Sequence, residues 1–308
     1  MGVRWVVSLL AQAVAVIFLV ATSSFFLLQV IPGDPASVVA GLDADSATVE
    51  RVRQSMGLDR PLHQRYFEWI SGVSRGELGV SHVQRRPVED LIRDRLPVTI
   101  RLAGFALLLS LLLGLGMAVI ASAHSAGTTL TRLLEYGAFA FPQFWVALIL
   151  LYFFSFRLGW LPMFGVEERG SMILPAVALA LPNAAVVSRT ARASLRELLQ
   201  GNHALAARAL GIPKSRVFLI HLLPLAMIPV LPVLAIQAGY LLAGAIVVEQ
   251  VFGLPGLGRL TLSAIVQRDL PLIQGIIVVF GLAFPLLNAS ADFLVGLLWP
   301  RLRHGQSS

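Results

Sequence analysis

The sequence has no cysteine, which removes thiol nucleophiles, thiolate metal sites and disulfides together. Lysine is almost missing: Lys214 stands alone, and arginine carries the rest of the basic charge. Charged residues of both signs fill only 13% of the 308 positions, while 56% of the chain is hydrophobic. That is too little charge to cover a soluble protein of this size, so an integral membrane protein is the default. The six histidines form no His-x-x-x-His pair and stand apart from any carboxylate cluster, which argues against a metal site. A net charge of +7 could suggest nucleic acid, but most of the imbalance lies in short loops between apolar runs, where it sets orientation in a bilayer. Nucleic acid is not an expected partner; lipid is.

Apolar length is what the sequence has in quantity. Trp5 to Val30 is long enough to cross a bilayer and lacks the short core and cleavage site of a signal peptide, so it reads as a retained first span. Segment 32–97 differs in kind, with near-balanced acidic and basic side chains, turn signals at Pro32-Gly-Asp-Pro35 and Asp59-Arg-Pro61, and amphipathic pieces. It reads as a folded extracytoplasmic insert. Five more spans follow: Leu96–Ala123, Leu133–Phe156, a short one at Met172–Val187 broken by Pro175 and Pro182, Leu225–Val248 and Leu272–Leu298. An even number of spans puts both termini on one side. Arg189, Arg192, Arg196, Arg208, Lys214 and Arg216 against Glu197 alone, with Arg301 and Arg303 beyond the last span, make that side the cytoplasm. The expected division is 1–31 (tail and first span), 32–97 (insert), 98–299 (a five-span core with cytoplasmic loop 189–223) and 300–308 (tail).

Within that loop, Asn202 suits a helix N-cap, Gly211 a position just past a helix end, and Pro213 the start of a second helix. The helix between the caps is too short to hold alone in water, and its exposed face of Ala204, Ala207 and Leu210 is small and apolar. Such a helix implies something that docks on it. Gly211-Ile-Pro-Lys-Ser215 lacks the glycines of a phosphate-binding loop, so this chain should not hydrolyse nucleotide. If ATP energises it, the ATPase is another polypeptide. Gly72-Val-Ser-Arg-Gly76 matches a nucleophile-elbow pattern at Ser74, but its neighbours are an amphipathic helix and a turn rather than a strand and a helix.

Ala206-Ala207 followed by Gly211, and then Leu223-Pro224, fit the signature EAA-x3-G-x9-I-x-LP. Further landmarks include Pro32-Gly-Asp-Pro35, Gly76-Glu-Leu-Gly79 with Ser81, Arg86-Pro-Val88, Phe141-Pro-Gln-Phe144, Pro255-Gly-Leu-Gly-Arg-Leu260 and Arg268-Asp-Leu-Pro271. On these residues the whole chain resembles the permeases of binding-protein-dependent ABC importers, and more narrowly the first subunit of the dipeptide/oligopeptide/nickel family. The resemblance implies an all-α polytopic fold of the type I importer class. It implies a second homologous permease, two ATP-binding subunits or domains and an extracytoplasmic solute-binding protein as partners, with ATP and Mg²⁺ held by the ATPases and no cofactor in this chain. The location implied is a prokaryotic inner membrane.

The resemblance assigns the coupling residues, and polarity and position in the spans suggest the others. Asn202, His203, Ala206, Ala207, Arg208, Ala209, Gly211 and Pro213 would meet the ATPase. The candidates for the translocation path are the intramembrane polar residues Gln143, Asn183, Gln237, Tyr240 and Gln274. Glu249, Phe252, Pro255, Gly256 and Arg259 would form an extracytoplasmic gate or receive the binding protein. Some positions depart from the pattern: Leu205 replaces the glutamate of the EAA triplet, and His221 the isoleucine before Leu-Pro. Peptides are the expected cargo, with nickel chelates, glutathione or other small ligands as alternatives. The competing classes are a membrane-anchored hydrolase using Ser74 and a passive channel.

Overall fold

A computed structural model describes residues 3–30, 33–41, 43–123, 125–201, 213 and 216–298. Within them the chain forms α1 (Val3–Val30), α2 (Pro35–Ala40), α3 (Ser46–Ser55), α4 (Leu62–Arg75), α5 (Val88–Ala123) and α6 (Ser125–Ala140). There follow α7 (Gln143–Arg157), α8 (Ile173–Gln200), α9 (Val217–Ala226), α10 (Val230–Val251), α11 (Leu257–Val266) and α12 (Leu270–Leu298). Helices α1, α5, α8, α10 and α12 are long and apolar enough to cross a membrane, and α6 with α7 makes a sixth crossing if the bent pair is one span. The class is all-α and polytopic, as the apolar runs imply.

Three proline effects reshape the expected spans. In place of a continuous helix over Leu133–Phe156, α6 and α7 meet at 101°. Pro142 has no N–H for the ladder and its ring disfavours helical backbone at Phe141, so α7 restarts from an extended Pro142 (φ −58°, ψ 139°). The fourth span goes the other way. Pro175 falls in the first turn, where no helical N–H is required, and α8 absorbs Pro182 and continues unbroken to Gln200. The basic stretch from residue 189 is therefore helical through Gln200, not loop. Finally, α9 is π-wound over Val217–Leu222 just before Pro224. The wider turn makes room for a proline ring that would press on the carbonyl four residues back.

Two further boundaries move. Residues 88–97, expected within the insert, already belong to α5, and Pro97 lies inside that helix. The Gly/Pro-rich connection before the last span contains a ten-residue helix, α11.

The chain divides into two compact units. The first comprises Met1–Thr99 and Pro255–Leu286, the second Ile100–Leu254 and Leu287–Ser308. In the first unit, Leu78, Val88, Leu91, Leu257, Leu272 and Ile276 form one buried cluster. Helix α4 lies along α1, with the Thr22 and Tyr66 hydroxyls 2.9 Å apart and the Trp69 indole N–H donating to the Ala21 carbonyl at 3.4 Å. In the second unit α8 is the hub: 61% of its apolar core stretch is buried, against at most 39% for the other four single-helix spans. Its Ala176, Ala178, Ala180, Ala184 and Ala185 are wholly or almost wholly covered. Small side chains let membrane helices approach closely where lipid supplies no hydrophobic drive for them to associate.

Candidate transport and coupling sites

The start of the insert is built around Asp34. Its carboxylate caps α2 by accepting the Ala36 N–H (3.2 Å) and the Ser37 hydroxyl (2.7 Å), and it pairs with Arg53 of α3 at 2.9 Å. Burial would raise its pKa, but those hydrogen bonds and Arg53 outweigh it and hold the group below its ordinary 3.8. Gly33 has φ +116°, and a Cβ there would overlap the Arg268 guanidinium, so the glycine is what lets Arg268 lie against this turn.

The neighbouring Asp269 reaches the far end of the insert. It is fully buried and accepts the Ser81 hydroxyl and the His82 N–H, the latter at 3.1 Å. The Ser81 oxygen in turn accepts the Gln84 N–H at 2.9 Å, which closes the turn. Two consecutive residues ahead of the last span thus hold both ends of the insert, and Thr99 Oγ1 accepts the Leu257 N–H at 2.8 Å to seat α11. His82 is held below its ordinary 6.5: burial is the main cause, Asp269 opposes it, and Arg65 adds to it.

In the second unit a buried ion cluster joins α6 to α8. Glu135, 2% exposed, accepts the Ser188 hydroxyl (2.8 Å), Arg192 Nη2 (2.9 Å) and Arg189 Nε (3.4 Å). Arg192 also donates to Thr131 Oγ1 at 3.3 Å, and the Arg189 guanidinium sits 4.9 Å from the Phe139 ring centroid. Sequence reasoning missed this cluster. The signal was available: Glu135 is the one carboxylate between Asp94 and Glu167, inside an apolar run.

Four of the five proposed path residues fall in the second unit. The Gln143 amide lies against Gly244 of α10, where an added Cβ would come within 2.7 Å of its Oε1. Asn183 and Gln237 are buried; the Asn183 amide donates back to the Leu179 carbonyl at 2.6 Å. Tyr240 is 67% exposed. Gln274 is buried in the first unit. The proposed gate is divided in the same way. Glu249 and Phe252, in the second unit, are buried, and the Phe252 carbonyl accepts the Gly165 N–H at 3.2 Å. Pro255, Gly256 and Arg259, in the first, line a cavity of about 270 Å³ with Gln84 and Arg95. Of the coupling residues, only Pro213 is among those described; Asn202, His203, Ala206, Ala207, Arg208, Ala209 and Gly211 lie outside them. Ser74 sits inside α4 with its hydroxyl on the Ser71 carbonyl (2.7 Å), so the strand-to-helix turn of a nucleophile elbow is not formed there.

Among the described residues the regular elements are helices, with a central alanine-rich span, a bent helix pair and a helical extension into a basic stretch. Solved structures share this fold. The chain is similar to the MetNI methionine ABC transporter in inward-facing conformations, with TM-score 0.56 and 15% identity over 68% of this chain and 96% of that one. It is also similar to an amino acid ABC transporter crystallised with histidines, with TM-score 0.50 and 20% identity over 69% and 94%. The fold is that of a type I ABC importer permease.

The family is equally plain. Residues 110–304 match the binding-protein-dependent transport system inner membrane component, and residues 2–103 match the N-terminal model of such membrane components. The chain belongs to this family. It is 37% identical over 303 residues to the glutathione transport system permease protein GsiC of Escherichia coli (strain K12), covering 98% of this chain and 99% of that one. It is 36% identical over the same length to GsiC of Shigella boydii serotype 4 (strain Sb227). It is accordingly a multi-pass permease subunit of an ABC importer and not an enzyme.

Proposed function

We propose that this chain forms half of the translocation path for small peptides in an ATP-driven importer of a prokaryotic inner membrane. Both termini and segment 189–223 are cytoplasmic, and the insert is extracytoplasmic. The other half is a second, homologous permease. Two ATP-binding subunits or domains carry ATP and Mg²⁺, and an extracytoplasmic binding protein delivers cargo. The observation that carries the reading is the match of both family models across almost the entire chain. The relation to GsiC supports a peptide-like cargo, glutathione being itself a tripeptide. Glutathione or a nickel chelate is the alternative within the same class.

The energy enters through residues 202–213. Ala206, Ala207 and Ala209 permit close backbone approach, Arg208 offers charge-assisted hydrogen bonds, and Gly211 turns the chain back. Helix α8 runs unbroken to Gln200 and ends at an extended Gly201, so the proposed docking stretch starts directly after a long rigid span. ATP-driven closure of the partner subunits would then swing the attached spans between inward- and outward-open arrangements.

Reconstitution with the second permease, the ATPases and the binding protein in proteoliposomes tests the reading. It expects ATP-dependent accumulation of a dipeptide or glutathione that requires all partners. Flux without ATP or binding protein would contradict it.

A further inference from the structure

In the first unit, α3, α4, the 79–85 turn and the start of α12 enclose a groove of about 620 Å³. That is within the range of small-ligand pockets, about 300–1,000 Å³. Phe25, Trp69 and Pro271 give it apolar surface, and Arg65, His82 and Arg85 bring polar groups. Two other arginines of the groove are already neutralised: Arg60 pairs with Glu68 at 3.1 Å and Arg75 with Glu77 at 3.4 Å. Arg65 and Arg85 are not. Half-buried Arg65 reaches only the Gln29 amide oxygen, at 3.5 Å, and the Arg85 side chain makes no hydrogen bond or ion pair among the described residues.

The backbone adds a second observation. Arg85 has φ +52°, in the left-handed region that glycine or asparagine occupies at lower cost. The chain's other arginine of this kind among the described residues, Arg268 at φ +53°, has its guanidinium lodged against Gly33. The Arg85 side chain is instead exposed and lines the groove. A strained residue that carries an unneutralised charge beside a cavity is a feature of ligand sites.

We propose that this groove is a carboxylate-recognition site for a small peptide. The Arg65 and Arg85 guanidiniums receive the C-terminal carboxylate, and Trp69 and Phe25 give apolar surface to the peptide's side chains. The groove's size favours a peptide over a single acidic side chain of a docking protein, which would fill only a small part of it. The proposal rests on the importer reading for its place in the transport cycle, but binding itself is measurable on the permease without its partners.

Calorimetric titration of the full chain in nanodiscs, without binding protein, tests this with trialanine and trialaninamide. Saturable trialanine binding is expected, weakened at least about tenfold when the carboxylate is amidated, since charge-assisted pairs to arginine are the strong ones. Arg65→Gln and Arg85→Gln should each cost trialanine roughly tenfold in affinity. Arg85→Gly, which relaxes the backbone, should lose as much, and an unchanged melting temperature separates lost binding from misfolding. Equal affinity for acid and amide, no saturable binding, or indifference to both arginine changes would overturn the proposal. Loss of binding-protein capture in the arginine variants, without any trialanine binding, would assign the groove to that protein instead and overturn it too. Normal ATP-driven uptake alongside any of these failures would leave the importer reading intact, whereas absent ATP-driven uptake in the complete system would reject that reading separately.

Discussion

The Ser81 hydroxyl donates to the carboxylate of Asp269, 188 residues further along the chain and fully buried. This bond joins the end of the insert to the residue that opens the last span. Hydrogen bonds to a charged group contribute about 1.5–3 kcal/mol, and a buried acceptor that loses its donor bears the desolvation cost. Ser81→Ala should therefore lower stability by about 2 kcal/mol, read as a lower midpoint in thermal unfolding of the detergent-solubilised protein. Asp269→Ala should cost more, since it also strands the Ser81 hydroxyl and the His82 N–H.

Gly33 and Arg268 make a second prediction. A side chain at Gly33 meets both a left-handed backbone (φ +116°) and the Arg268 guanidinium. Gly33→Ala should destabilise the insert by about 1–3 kcal/mol. Arg268→Ala in the same chain should recover part of that loss, because the collision is removed while the backbone strain stays. Strict additivity of the two changes in thermal unfolding would show that the two residues do not press on each other.

The pH dependence of the insert follows from His82. Burial, with Arg65 adding to it and Asp269 opposing it, depresses the folded pKa below 6.5, so the folded state binds fewer protons than the unfolded chain just below that pH. The stabilisation is complete above pH 6.5 and is lost as pH falls through the folded value. Protease resistance of the insert should decline on acidification below 6.5, and His82→Gln should flatten that part of the profile. The Asp34 contribution belongs to a separate window: its pKa is also depressed, so its stabilisation disappears only as pH drops below 3.8.

Glu135 should be the most sensitive polar residue of the second unit. Its removal leaves Arg192, 14% exposed, without its carboxylate, and breaking a buried pair costs about 3–5 kcal/mol. Glu135→Ala should unfold the unit at markedly lower temperature. Glu135→Gln, whose amide oxygen can still accept from Arg192 while its NH2 donates to the Ser188 hydroxyl, should keep part of the stability that the alanine variant loses. Because the cluster braces α8 ahead of its extension to Gln200, the Gln variant should also hydrolyse more ATP per solute imported in the reconstituted system.

Much of this molecule was legible in its sequence because apolar length decides where a chain crosses a membrane, and α1, α5, α10 and α12 lie close to where hydropathy puts them. What hydropathy does not encode is direction. Pro142 turns one expected span into two helices at 101°, restarting α7 from an extended backbone, whereas Pro182 leaves α8 continuous, so the residue type alone does not announce a bend. Ser81 with Asp269, and Glu135 with Arg192, escaped notice because each is a tertiary pair between segments far apart in sequence. The groove with Arg65 and Arg85 is assembled from four such segments, so no local pattern announces it.

The proposed importer depends on an ATPase docking on residues 202–213 and driving the spans through them. The direct measurement is co-purification and ATP-dependent uptake for the double variant Ala207→Glu with Gly211→Pro, in the complete transporter. A bulky charge replaces a small side chain and a proline replaces a glycine, so uptake should be abolished and the ATPase lost from the complex, while the permease remains in the membrane at normal level. Uptake and ATPase retention equal to the unaltered protein would contradict that docking.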